Sequence, residues 1–258
     1  MLNLSPLNKK VVTTKTNDNI NDSLVNLDTS EKAILEYNNV SPFPHVFIDN
    51  FVNDTTMLET IVEEYKNYQS WGLDPYSVKH QVKKFFSPWC NENVLDMPPV
   101  TKRLIDHLNS PTVLHKLETL TGIRGLMPDP DLNGGGMHRI DSGGKLSVHA
   151  DYNKHPTKPW YRRMNLLLYL NKYWEESWGG DLQLWNKDMT VMVKTAQPIF
   201  NRAVIFNTTP TAYHGHPHAL NSPEGVSRYS IAMYYFTIDR PDHEKDNTTS
   251  ATWKDIPQ

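Results

Sequence analysis

The chain of 258 residues carries 26 Lys and Arg against 29 Asp and Glu, a formal net charge of −3, with 38% apolar and 21% charged residues. That is a globular composition, long enough for one sizeable domain or two small ones, and no basic excess supports a nucleic-acid partner. The single cysteine, Cys90, excludes an internal disulfide or a paired-thiolate zinc site and favours a reducing cytoplasm, while no apolar run reaches the length of a membrane span or follows the N-terminal charges as a signal peptide would.

Residues 1–40 are rich in Asn, Thr, Asp and Lys and read as a flexible polar leader, with a short helical turn near Glu31–Tyr37. Pro44 to Asp49 suits a first strand. Asp54 is the expected N-cap of a helix reaching about Tyr68, its stripe made by Met57, Leu58, Ile61, Val62 and Tyr65. Val100 to Leu108 reads as a second helix. Ser110-Pro111 opens a third, with Val113, Leu114, Leu117 and Leu120 on one face and Gly122 as its stop. Between them, Trp71 to Met97 shows no period that assigns it.

From Gly134 the pattern changes to short runs divided by turn residues: Met137–Ile140, Lys145–His149, Met164–Leu170, Asp181–Trp185, Thr190–Lys194, Ile199–Phe206 and Arg228–Ile238. Such spacing predicts a β-sandwich or barrel. The expected fold is therefore α+β and mostly β, with helices to about residue 125 buttressing a jelly-roll core over 134–238. The domain is expected to span 41–240, followed by a polar tail at 241–258.

Within Ser147-Val-His-Ala-Asp-Tyr152, residues two apart on a strand share a face, so His149 and Asp151 can converge. A lone His-x-Asp is a weak signal, since a strand histidine is usually just hydrogen-bonded. Further on, Tyr213-His-Gly-His-Pro-His218 follows the run Ala203–Asn207. Two histidines and a carboxylate on one side of an octahedral ion suit Fe(II) chemistry with oxygen. His214 follows the strand most closely; His216 is the runner-up, and His218 falls in a loop. Arg228 and Ser230 share a face at the start of a long apolar strand. Alone, such an arginine pairs with a protein carboxylate or water, but beside three candidate ligands it suits a dicarboxylate.

From about Pro42 to Ile238 the chain resembles the prolyl-hydroxylase-like branch of the 2-oxoglutarate and Fe(II)-dependent dioxygenases. His149-Ala-Asp151, Leu167-Leu-Tyr-Leu-Asn171, Trp178-Gly-Gly-Asp-Leu182, Tyr213-His-Gly215 and Arg228-Tyr-Ser-Ile231 carry the resemblance, in matching order. It implies a double-stranded β-helix in which His149, Asp151 and His214 bind iron, with Arg228 and Tyr169 on the distal carboxylate of 2-oxoglutarate and Ser230 beside them. It further implies O2 as oxidant, ascorbate as a stimulant, and hydroxylation of an unactivated C–H bond with release of succinate and CO2. Prolyl residues of a peptide or protein are the substrate that the branch suggests. A small-molecule or sugar hydroxylase, or a non-catalytic metal-binding module, are the alternatives.

The chain departs from the family where many members carry a tyrosine, on the strand before His-x-Asp. Met137-His-Arg-Ile-Asp141 stands there, leaving His138 or Ile140 to line the co-substrate pocket. Lys154, Lys158, Arg162 and Arg163 fall in an expected loop at the rim, where they could draw an acidic substrate. A solvated loop with Trp160 packed on it is the commoner outcome.

Overall fold

The computed structural model describes residues 24–72, 81–82, 85–86 and 96–256. Cys90, most of the unassigned Trp71–Met97 region and residues 1–23 of the expected leader lie outside them.

The helices form where caps and stripes coincide. In α1 (Glu31–Asn39) the Ser30 side chain accepts the Ala33 N–H. In α2 (Thr55–Asn67) Asp54 accepts the Met57 N–H at 2.9 Å, and the buried residues are Met57, Leu58, Ile61, Val62 and Tyr65. For α3 (Pro99–Leu108) the Pro98 N-cap offers no side-chain bond, and Glu64 of α2 instead accepts the Val100 and Thr101 N–H groups at 2.8 and 2.7 Å. Ser110 caps α4 (Pro111–Thr121), which Gly122 ends in the left-handed region at φ 74°.

Two antiparallel sheets follow. The seven-stranded sheet runs β1 (His45–Asp49), β10 (Arg202–Asn207), β7 (Tyr161–Tyr169), β12 (Arg228–Thr237), β5 (Gly136–Ile140) and β3 (Phe85–Phe86), with β4 (Met127–Pro128) also on β12. The six-stranded sheet runs β13 (Thr252–Trp253), β6 (Lys145–Ala150), β11 (His214–His216), β8 (Leu182–Trp185) and β9 (Met192–Ala196), with β2 (Gln81–Val82) also on β6.

Alternation along β12 assigns its two faces. Ile231, Met233 and Tyr235 join Leu104, Leu108 and Leu117 of the helices in one core. Arg228, Ser230 and Ala232 point the other way, opposite Ile140, His138 and Gly136. A second core, with Tyr169, Leu182, Leu184, Val204 and Phe206, fills the space between the sheets. Helices on one face of a sandwich and chemistry between its sheets follow from this one alternation.

The chain packs beyond both expected boundaries. Val25, Leu27 and Tyr37 are buried, and Asn26 and Asn53 exchange backbone bonds with Phe51 and Leu24. Three apolar side chains thus anchor a stretch whose composition reads as a free leader. At the other end, Thr252 and Trp253 pair with β6 rather than trailing as a polar tail. Among the described residues no helix is long and apolar enough to cross a membrane.

Candidate metal and co-substrate site

His149 on β6 and His214 on β11 are direct cross-strand partners, and their ring centroids lie 4.5 Å apart. Asp151, just past the end of β6, closes the triangle. Its Oδ1 is 3.5 Å from Nε2 of His149, and its Oδ2 is 3.6 Å from Nε2 of His214. One donor atom from each of the three lies within 4.8 Å of the others.

Both rings are oriented from behind. Nδ1 of His149 meets the Ser147 carbonyl at 3.0 Å, and Nδ1 of His214 meets the Ala212 carbonyl at 2.9 Å. A carbonyl can only accept, so each Nδ1 carries a proton and each Nε2 is the nitrogen turned toward the carboxylate, offering a lone pair in the neutral ring. The close approach of β11 to β6 requires Gly215, since a Cβ there would sit 2.8 Å from the carbonyl oxygens of Leu146 and Ser147.

The carboxylate is supported in turn. Asn165 Nδ2 donates to Asp151 Oδ2 at 2.7 Å, and Arg162 Nη2 lies 3.1 Å from the same oxygen. Arg162 Nε also donates to Asn165 Oδ1 at 2.9 Å, closing a three-residue ring. Burial alone would raise the Asp151 pKa, but the Arg162 guanidinium, joined by the two histidines when they are protonated, outweighs it and holds it well below the usual carboxylate range. Burial pushes His214 down to about 4 against the opposing pull of Asp151. An anionic carboxylate beside a neutral imidazole is what a divalent ion needs.

The rival histidines stand apart. His216 pairs with Leu146 beyond a register shift, and His218 is exposed. Neither joins the group of three.

Facing this cluster from the other sheet, Arg228 is buried, with Nε donating to the Gly180 carbonyl at 2.9 Å and Nη2 to the Tyr169 hydroxyl at 3.2 Å. Among the described residues no carboxylate lies at ion-pair distance from it; its hydrogen bonds go to neutral dipoles and the Asp181 carboxyl acts on it only from further off, so it suits an incoming anion. Burial raises the Tyr169 phenol above its ordinary value. That hydroxyl accepts from Arg228 and keeps its own proton to donate. Gly180 fits here at φ 80° because a Cβ would lie 2.5 Å from Leu220 Cδ2 and 3.2 Å from Arg228 Cδ. Ser230 is buried on the Arg228 face, directly opposite both His138 and Tyr169. His138 and Ile140 both share that face.

Three of the four expected rim cations, Lys158, Arg162 and Arg163, turn to the protein's own carboxylates, and among the described residues Lys154 does not. Strand β7 starts at Tyr161 rather than Met164, which buries Arg162 between the Tyr152 and Tyr234 rings, 4.7 and 3.5 Å from their centroids. Lys158 is held by Asp129 and Asp131, and Arg163 lies 3.7 Å from Glu244. These cations are spent on the protein's own carboxylates. Arg162 and Asn165 are therefore site residues that the pattern concealed, since an arginine beside an expected strand gives no sign of which way it turns.

Residues 135–236 match the family model described as the 2OG-Fe(II) oxygenase superfamily. The chain is 24% identical over 214 residues to prolyl 3-hydroxylase OGFOD1 of Xenopus laevis, a match covering 80% of this chain and 38% of that protein. It therefore spans less than two fifths of that relative. A prolyl hydroxylase of Trichoplax adhaerens, in complex with a hypoxia-inducible-factor peptide, superposes with a TM-score of 0.53 at 19% identity, over 79% of this chain and 87% of that one. HygX of Streptomyces hygroscopicus, with nickel, 2-oxoglutarate and hygromycin B bound, gives 0.54 at 13% identity, over 88% and 97%. The fold, the donor set and these matches agree: residues 135–236 carry the match to the 2OG-Fe(II) oxygenase superfamily, and the chain is similar over a wider span to prolyl hydroxylases.

Proposed function

We propose that the protein is an Fe(II)- and 2-oxoglutarate-dependent dioxygenase that hydroxylates a prolyl residue of a peptide or protein. His149, Asp151 and His214 hold the iron. Arg228 and Tyr169 receive the distal carboxylate of 2-oxoglutarate, and Ser230 lines the same pocket wall. When bound, the iron supplies the activation of O2 that couples oxidation of 2-oxoglutarate to hydroxylation of a C–H bond. The protein's own part is placement: two Nε2 lone pairs and one carboxylate meet at a point, while a buried guanidinium fixes the far end of the co-substrate.

The observation that carries this reading is the convergence of the three donors within 4.8 Å, with an unpaired-by-carboxylate Arg228 on the facing sheet among the described residues. The prolyl class follows the similarity to prolyl 3-hydroxylase. The single cysteine in the sequence suits the cytoplasm, to which we assign the protein.

The test is succinate formation from 2-oxoglutarate with Fe(II), stimulated by proline-containing peptides. We expect stimulation by peptide and its loss in His149→Ala and Asp151→Ala. Undiminished turnover in either variant overturns the ligand assignment. Stimulation by sugars or other small molecules in place of peptides overturns the prolyl class alone, and metal binding without any turnover identifies a non-catalytic module.

A further inference from the structure

Beyond β12 the chain stays on the domain. Arg240 reaches Glu244 at 3.0 Å, and the Asn153 amide donates to the Glu244 carbonyl, also at 3.0 Å. The backbone N–H groups of Asn153 and Lys154 both donate to the Thr248 carbonyl, at 3.0 and 2.9 Å. Thr252 and Trp253 then pair with Ala150 and His149. Lys254 N–H donates to the Val148 carbonyl at 2.8 Å, and Ile256 packs against the apolar cluster that contains Val148, Ala150 and Tyr213. This segment lies outside the residues 135–236 matched by the family model.

It ends by laying an aromatic side chain on a candidate metal ligand. The Trp253 and His149 ring centroids are 4.9 Å apart, with 38° between the planes. His149 lies against His214, and His214 against Phe206, with centroids 4.5 and 4.7 Å apart. The imidazole pair is thus bracketed by Phe206 from the core and Trp253 from the chain's last strand. The Nδ1 bond to Ser147 restrains one edge of the His149 ring and leaves its tilt free. An indole packed at this tilt against the ring limits its movement and keeps water from that face.

We propose that residues 242–256 form a strap that completes the metal centre, with Trp253 as the positioning residue for His149. The inference rests on the ligand assignment above.

Co(II), a redox-stable stand-in for Fe(II), tests it on the full chain by titration, reading both affinity and tryptophan fluorescence. Trp253→Ala is expected to bind Co(II) about tenfold more weakly with its melting temperature near that of the parent. Trp253→Phe, which keeps a ring on His149, is expected to bind within about twofold of the parent while losing part of the Co(II)-induced quench, because the indole nearest the ion is gone. Affinity unchanged in Trp253→Ala overturns the proposal. If that variant does not fold, Trp253→Phe decides, and a quench identical to the parent's overturns it. A different failure marks the ligand assignment: a parent protein that does not bind Co(II), or a His149→Ala variant that binds it equally well.

Discussion

Asn165 donates to Oδ2 of Asp151 at 2.7 Å, so a neutral strand residue of one sheet fixes the carboxylate of the other. Arg162 adds charge to the same oxygen but depends on Asn165 for its own Nε partner. Asn165→Ala should therefore lower metal affinity by roughly 10–100-fold without removing a ligand. Calorimetric titration with Co(II) checks this, and an unchanged affinity means that Arg162 alone suffices to hold Asp151.

Arg228 and Tyr169 separate charge from hydrogen bonding. Arg228→Ala should raise the KM for 2-oxoglutarate by more than tenfold, the scale of losing a buried charged partner, on the order of 2–5 kcal/mol. Arg228→Lys restores charge without the fork that reaches Gly180 and Tyr169, so its recovery should be partial. Tyr169→Phe removes one hydroxyl, about 0.5–1.5 kcal/mol, and should raise KM only several-fold. Metal affinity measured without 2-oxoglutarate should be unaffected in all three.

Gly215 makes a backbone prediction. In Gly215→Ala the new methyl group meets two carbonyl oxygens of β6 at 2.8 Å, and neither belongs to a side chain that can swing away. The strands bearing His149 and His214 must separate. We expect a lower melting temperature together with lost Co(II) binding, whereas a variant with native affinity shows that β11 relaxes elsewhere.

Asp129 supplies the pH dependence. Burial alone would raise its pKa, but the backbone N–H groups of Asn133 and Asp131 and the Lys158 ammonium lower it on balance. A carboxyl depressed in the folded state contributes stability above its unfolded value of about 4, and loses it as pH falls through the folded value. Asp129→Asn should therefore cost about 1–3 kcal/mol at neutral pH, and the gap to the parent should close in acid. Urea unfolding at several pH values measures this. A gap that is constant down to the most acidic pH rejects the ionised form as its source.

Much of the site was legible because it follows period two. His149 and Asp151 sit two apart, Arg228 and Ser230 likewise, and Asp54, Ser110 and Gly122 punctuate helices as their chemistry dictates. What sequence reasoning missed lies where long-range contacts override local pattern. Arg162 looks like a solvated loop cation until β7 extends to Tyr161 and turns it under Tyr234. Val25 and Leu27 are too few to announce a packed segment, and Thr252–Trp253 is too short to announce a strand. Its partner on β6 creates it.

The pairing of His149 with His214 also orders events during synthesis. A growing chain that has emerged only through β10 carries two of the three candidate ligands, because β11 brings the second imidazole and β13 follows last of all. Contacts so far apart along the chain form late in folding. The sheet register is meanwhile set by backbone pairing and the two apolar cores, which need no ion. A metal ion would therefore meet a pocket that the two cores and the strand pairing hold together, unlike the small zinc domains whose folding free energy is their metal-binding free energy.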